Sequence, residues 1–299
     1  MLVRTAVIPA AGMGTRLLPA TKSQPKELLP LIDTPAIHYV VAEAVQSGIQ
    51  EIVIITSRHK AALEQYFRES SGLEKHLRDA QKYDLLEIVQ SIPKMCNITF
   101  EYQQEPQGLG HAILMARHRV GREPFAVMLP DEVFVGEEPC LMQLLQRAEA
   151  GYRSVIGLRD VAPTDTSRYG IVTAFSEGAG LHRIRHLVEK PAPHESPSTL
   201  AVIGRYVLDP IIFDILSDLP PGQNGEIHLT DALAVWAATQ PLYGYEVVGH
   251  RHDLGNRLGY LQATVELALN RRDLQGDFGR FLVEVLARYC SGSNLGEGL

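Results

Sequence analysis

Short apolar strands alternate with helical stretches through the first 135 residues, and this rhythm narrows the possible folds more than any other feature. "RTAVIPA" (4–10), "EIVIIT" (51–56), "ITFEYQ" (98–103) and "FAVMLPD" (125–131) read as strands. Between them lie "AIHYVVAEAVQSG" (36–48), helically spaced and closed by a glycine, "KAALEQYFRES" (60–70), a long polar helical stretch over 72–90, and "GHAILMARHRV" (110–120). The order βαβαβαβ predicts an α/β fold: a mixed, mostly parallel central sheet with right-handed crossovers and helices on both faces. Ligands of such sheets sit at the carboxyl ends of the strands.

The second half is more mixed. "RSVIGLRDV", "YGIVTAF", "RIRHLVEKP" and "LAVIGRYVL" are strand-like, while "ALAVWAATQ" and residues 260–288 are helical. No linker-like break divides the 299 residues, which suffice for a substantial core. One domain is expected over 1–290: a first half (1–135), a second half (136–255) that completes the sheet and covers the site, and a C-terminal helical extension (256–290). A flexible tail is expected over 291–299.

The glycine loop after the first strand, "PAAGMGTRLLPATKSQPK" (9–26), points to a bound anion. Glycines let backbone N–H groups approach phosphate oxygens. Arg16 can hold phosphate in a bidentate fork, and Lys22 and Lys26 add point charges. Neither the lysine-ended P-loop pattern nor the full dinucleotide pattern GxGxxG is present: Gly12 and Gly14 lack a third glycine, position 17 being Leu. The incomplete pattern, and the lack of an acidic residue about 20 positions beyond the end of the loop, argue against a NAD-dependent oxidoreductase. The net charge of −7 gives no basic footprint for nucleic acid and argues against an anionic membrane surface. Cys96, Cys140 and Cys290 are scattered with no CxxC pair, so they read as reduced thiols of a cytoplasmic protein.

These residues carry a resemblance. "PAAGMGTRLLPATKSQPKELLPL" resembles the signature of the sugar-phosphate nucleotidylyltransferases, and "GLGHA" (108–112), "LPDE" (129–132), "VEKP" (188–191), "GRYVL" (204–208), "GEIHLTDA" (225–232) and "HDLGNRLGYLQA" (252–263) follow in order. Together they resemble the branch of bacterial UTP–glucose-1-phosphate uridylyltransferases. The resemblance implies a Rossmann-like three-layer nucleotidyltransferase fold, with a nucleotide-binding first half and a sugar-phosphate-binding second half, in a homodimer or homotetramer. It implies that UTP and glucose 1-phosphate react to UDP-glucose and pyrophosphate. Another base or hexose phosphate, or a non-catalytic regulatory paralogue, are the alternatives.

The implied site follows residue by residue. Arg16 and Lys26 are catalytic, and Ala10, Ala11, Gly12, Gly14, Glu27, Gln103 and Gly108 bind the nucleotide. Gly170, Glu189 and Lys190 bind the sugar phosphate, and Asp131 and Asp253 bind Mg²⁺. Two carboxylates suit a hard cation that keeps several waters. The Gln103 amide could donate to and accept from a pyrimidine imide edge at once. Glu189 and Lys190 are adjacent on a strand and would point oppositely unless the chain turns there. Glu132 is expected beside the metal site or facing outward. His111 is assigned to capping or packing its helix. Gln104, His228 and Leu254 depart from the lysine, glutamine and cysteine frequent in the branch.

Overall fold

The protein is described by a computed structural model covering residues 3–222 and 225–292. Its strands are β1 (Thr5–Pro9), β2 (Pro30–Leu31), β3 (Thr34–Pro35), β4 (Glu51–Thr56), β5 (Asn97–Tyr102), β6 (Phe125–Met128), β7 (Glu132–Val135), β8 (Val155–Asp160), β9 (Gly170–Gly178), β10 (Leu181–Glu189), β11 (Leu200–Leu208), β12 (Tyr243–Glu246) and β13 (His250–Asp253). Nine form one sheet in the order β5-β4-β1-β6-β11-β8-β12-β10-β9, while β2 pairs with β3 and β7 with β13.

The sheet is mixed. Its first half, β5-β4-β1-β6, is parallel, as crossover helices require. In the second half β11 runs antiparallel to β6 and β8, and β10 runs antiparallel to β9 and β12; only β8 and β12 pair in parallel. There β9, β10 and β11 follow one another without intervening helices, and strands joined by short connections pair antiparallel.

Alternation along each strand sends side chains to two cores. Ala6 and Ile8 of β1 pack under the helices Ala36–Gln46 and Cys140–Glu149, whereas Val7 packs with Ile113, Phe213 and Leu233 of the opposite layer. This places helices on both faces of the sheet. The stretch 72–90 forms two helices, Ser71–Asp79 and Tyr83–Ser91, because Gln81 adopts a left-handed backbone (φ 55°) and breaks the run. Ser291 and Gly292, assigned to the tail, instead close the helix Gln275–Gly292; the rest of that tail lies outside the described residues. No helix among the described residues is long and apolar enough to cross a membrane.

Candidate active site

A cavity of about 320 Å³ opens at the carboxyl ends of β1 and β6, at the lower end of the range of roughly 300–1,000 Å³ usual for small-molecule sites. Ala11, Gly12, Arg16, Lys26, Gln103, Gly108 and Asp131 line it, so seven of the sequence-nominated residues meet there. A neighbouring cavity of about 330 Å³ shares Gly12, Arg16, Lys26 and Asp131 and adds Gly14 and Gly255. Gly12 is exposed, and a Cβ there would meet nothing within 4 Å. Nothing in the protein requires its missing side chain, which leaves the cavity side open for close approach to the backbone. Gly14 is different. It is left-handed (φ 68°), and a Cβ would stand 3.2 Å from Cβ of Lys26, so glycine here sets both the turn and the lysine's place. Lys22 is exposed and lines neither cavity.

The two acidic candidates, far apart in sequence, are brought together by the β7–β13 ribbon. Glu132 stands opposite Asp253, and the Leu254 N–H donates to the Asp131 carbonyl at 2.8 Å. Asp253 Oδ1 and Asp131 Oδ2 lie 3.0 and 3.3 Å from the point a Cβ on Gly255 would occupy, with an Arg16 nitrogen 3.6 Å from it. Two carboxylates converging on one small space, without sulfur or imidazole, fit a hard divalent cation such as Mg²⁺. Lys26 donates to Asp131 at 2.6 Å, and Arg168 to Asp253 at 2.6 Å. Burial alone would lower the Lys26 pKa, but Asp131 and Glu27 outweigh it and raise it. Burial alone would raise the Asp131 pKa, but Lys26 outweighs it and lowers it. The stability carried by the depressed Asp131 pKa is therefore fully present above the ordinary carboxylate value and lost as pH falls through the lowered one. That of Lys26 is fully present below the ordinary lysine value and lost as pH rises through the raised one.

Glu132 faces inward. It is buried, accepts from the Arg251 guanidinium (2.5 and 2.8 Å) and from the Gly204 N–H (3.0 Å), and so locks the ribbon to β11.

At the far end of the cavity, the buried Gln103 amide lies 2.8 Å from His111 Nδ1 and donates weakly to the Gly108 carbonyl at 3.4 Å. Burial lowers the His111 pKa, which favours the neutral ring. With the NH₂ of Gln103 turned toward His111 and Gly108, its Oε1 is left as the acceptor facing a base. His111 thus orients Gln103. Gly108 is left-handed (φ 94°), and a Cβ would stand 2.7 Å from the Ile227 carbonyl. Backbone bonds Gly110 N–H to Ile227 O and Ile227 N–H to Gln107 O, both 2.8 Å, dock the 225–229 segment on this loop and bring Glu226 to both cavities.

Two nominated nucleotide contacts, Glu27 and Ala10, lie outside the linings of both cavities. Glu27 is 1% exposed and both its oxygens accept from Lys60 Nζ (3.0 and 2.9 Å). It lines neither cavity, and Lys60 engages its carboxylate. Ala10 is 1% exposed; its N–H donates to the Ile55 carbonyl at 2.7 Å and its carbonyl accepts from Lys60 at 2.7 Å. Its backbone is committed to the protein, so the pair Glu27–Lys60 supports the glycine loop from beneath. Burial lowers the Lys60 pKa despite Glu27, which opposes the shift.

The remaining candidates form a neighbouring cluster outside the two cavities. Lys190 has φ 44°, the departure from strand geometry that lets Glu189 and Lys190 serve one side, and their charged ends lie 2.8 Å apart. Thr230 donates to Glu189 at 2.6 Å, and a Cβ on Gly170 would stand 3.0 Å from Thr230 and 3.6 Å from Glu189. Burial alone would raise the Glu189 pKa, but the bonds from Lys190 and Thr230 outweigh it, so Glu189 stays ionised below the usual carboxylate range. The cluster adjoins the first through Tyr169, whose carbonyl accepts from the Lys190 N–H, and its neighbour Arg168 on Asp253. Sequence reasoning passed over Lys60, Arg168, Glu226 and Thr230.

A glycine loop, paired cations and paired carboxylates at the carboxyl edge of such a sheet define a phosphate-handling transferase. Residues 5–269 match the family model described as "Nucleotidyl transferase", and the chain belongs to that family. It is 45% identical over 286 residues to the UTP–glucose-1-phosphate uridylyltransferase YngB of Bacillus subtilis (strain 168), covering 96% of each chain. Among solved structures it is similar to a UTP-bound UGPase from Acinetobacter baumannii (TM-score 0.88, 37% identity, 95% of this chain and 99% of that one). It is also similar to a UDP-glucose pyrophosphorylase complexed with UDP-glucose (TM-score 0.82, 38% identity, 90% and 100%).

Proposed function

We propose that this protein transfers a uridylyl group from UTP to glucose 1-phosphate, giving UDP-glucose and pyrophosphate. The observation that carries this reading is the convergence of Arg16, Lys26, Asp131 and Asp253 beside the open backbone of Gly12. The substrates are those named for the relatives.

A phosphate oxygen of the sugar phosphate attacks the α-phosphorus in line; the bond to the β-phosphate oxygen breaks, and pyrophosphate leaves with the electron pair. The phosphate dianion is already nucleophilic, so no general base is needed. Arg16 and Lys26 neutralise the triphosphate, and the cavity positions it. Asp131 and Asp253 would hold Mg²⁺, which supplies further charge neutralisation at the phosphates. The free Gln103 Oε1 faces the role of accepting an imide N–H, which uracil has and cytosine lacks. We assign residues 1–135 to the nucleotide and 136–255 to the sugar phosphate.

Glu189 accepts sugar hydroxyls and Lys190 pairs with the sugar phosphate. Glu189→Gln removes a charge-assisted acceptor worth about 1.5–3 kcal/mol, raising the glucose 1-phosphate KM roughly ten- to a hundredfold. Lys190→Ala raises the same KM and lowers kcat. UTP affinity, measured calorimetrically without sugar, stays at the wild-type value in both. Wild-type kinetics in both variants would reduce the cluster to a surface ion pair.

We place the protein in the cytoplasm, in keeping with the free thiols of Cys96 and Cys140. We read it as a homo-oligomer, supported by the exposed apolar side chains Phe281, Val283 and Leu286 on the last helix. The reverse reaction tests the assignment: UDP-glucose with pyrophosphate and Mg²⁺ should yield UTP and glucose 1-phosphate, followed by phosphorus NMR. Unchanged UDP-glucose would refute it.

A further inference from the structure

One cluster of metal-binding side chains takes no part in this chemistry. Along β13, period-two alternation puts Arg251 and Asp253 on the side of Glu132 and Arg168, and His250 and His252 on the other, against the helix Arg257–Asn270. Glu266 of that helix reaches both rings. Its Oε1 lies 2.6 Å from His250 Nδ1 and its Oε2 3.3 Å from His252 Nε2. One ligand atom from each residue lies within 4.8 Å of the other two.

His252 is the telling member. It is 4% exposed, and its Nε2 is buried without any hydrogen bond even though the Glu266 carboxylate is so near. A buried polar atom is ordinarily satisfied, and leaving one unmade costs about 1–3 kcal/mol. A cation between the two would satisfy Nε2 with a lone-pair bond. Ligands about 2.0–2.2 Å from a tetrahedral ion stand about 3.3–3.6 Å from one another. The separation between His252 and Glu266 already has that value; His250 would move off its hydrogen bond to join them. His250 is exposed and Glu266 half-exposed, which leaves an open side for entry and for a water as fourth ligand. Two imidazoles and a carboxylate suit zinc and its neighbours, whereas Mg²⁺ takes oxygen ligands.

We propose that His250, His252 and Glu266 bind a divalent transition-metal ion of the zinc class, which braces β13, the strand carrying Asp253, against the helix Arg257–Asn270. The site is distinct from the carboxylate pair, on the opposite face of the strand, and independent of the reaction assigned above.

The test uses the full chain, stripped with a chelator and titrated with Co²⁺. One equivalent should produce the intense visible bands of a four-coordinate nitrogen–oxygen site, and Zn²⁺ should abolish them by displacement. Zn²⁺ at a hundredfold excess over its Kd should raise Tm by about 5 °C, whereas Mg²⁺ should leave the bands unaffected. His250→Ala and Glu266→Gln, both at the surface, should keep the metal-free Tm and lose the Co²⁺ bands and the Zn²⁺ shift. Asp131→Asn should keep both, which separates this site from the cavity. Absence of stoichiometric Co²⁺ binding in the wild-type chain, or unchanged bands in His250→Ala and Glu266→Gln, would overturn the proposal.

Discussion

Asp131→Asn and Asp253→Asn are each expected to cut the turnover of pyrophosphate release roughly 10²–10³-fold, the scale of losing one fixed electrostatic group aimed at developing charge. Asparagine keeps the shape of aspartate. In Asp131→Asn it can still accept from Lys26, and in Asp253→Asn it can still meet the Gly255 N–H and Arg168. What it loses is the negative charge that would hold Mg²⁺. Titration with Mg²⁺ should therefore show a raised requirement in both variants. Thermal unfolding should stay close to wild type in Asp253→Asn and fall modestly in Asp131→Asn, which keeps the bond between Leu254 and Asp131 but loses the charge that pairs with Lys26. Full turnover by either variant at limiting Mg²⁺ would remove that residue from the metal site.

Arg205→Met should produce the largest loss of stability. Arg205 is fully buried in β11 and bonds both oxygens of Glu43 at 2.9 and 2.7 Å. It also donates to the carbonyls of Leu129, Gly204 and Glu132. Burial alone would lower its pKa, but Glu43 outweighs it and raises it, so it stays charged. Removing the guanidinium strands the Glu43 carboxylate, whose remaining bond is the Leu141 N–H at 2.9 Å. Breaking a buried ion pair in this way costs about 3–5 kcal/mol, here about 5–8 °C in Tm. Leu129 and Glu132 flank Asp131, so catalysis should fall as well. Adding Glu43→Leu should recover much of the stability, because the stranded charge is removed with its partner. A single variant as stable as wild type would show that the pair contributes nothing net.

What could be read from the sequence, and what could not, divides along physical lines. The alternation of strands and helices is a local signal, and it located β1, β4, β5 and β6 with the glycine loop at their carboxyl edge. Gly12, Gly14, Arg16 and Lys26 were legible because they crowd into 15 residues. Asp131 and Asp253 were nominated by motif, but the reason they meet was hidden. β7 and β13 are four residues each, and β13 reads "HRHD", with no apolar alternation to betray a strand. The antiparallel second half was concealed similarly, since a strand such as β12, "YGYE", carries little pattern. Buried charges were the least legible of all. Lys60 opens a run that looks like an amphipathic surface helix, and only its distant partner Glu27 explains its burial. Arg205 sits in an apolar strand with its partner 162 residues away. The bonding of Glu27 and Ala10 was hidden for the same reason: the buried Lys60 donates to both, and a pair joined across the fold leaves no mark on either local sequence.

The most direct measurement is initial-rate pyrophosphate release across a panel of nucleoside triphosphates and hexose 1-phosphates, with and without Mg²⁺. The cavity, the paired carboxylates and the Gln103 acceptor together predict Mg²⁺-dependent release that is fastest for UTP with glucose 1-phosphate, with CTP poorest among the pyrimidines. Release that is faster with dTTP, that prefers another hexose phosphate, or that fails to occur in any combination would contradict the assigned reaction.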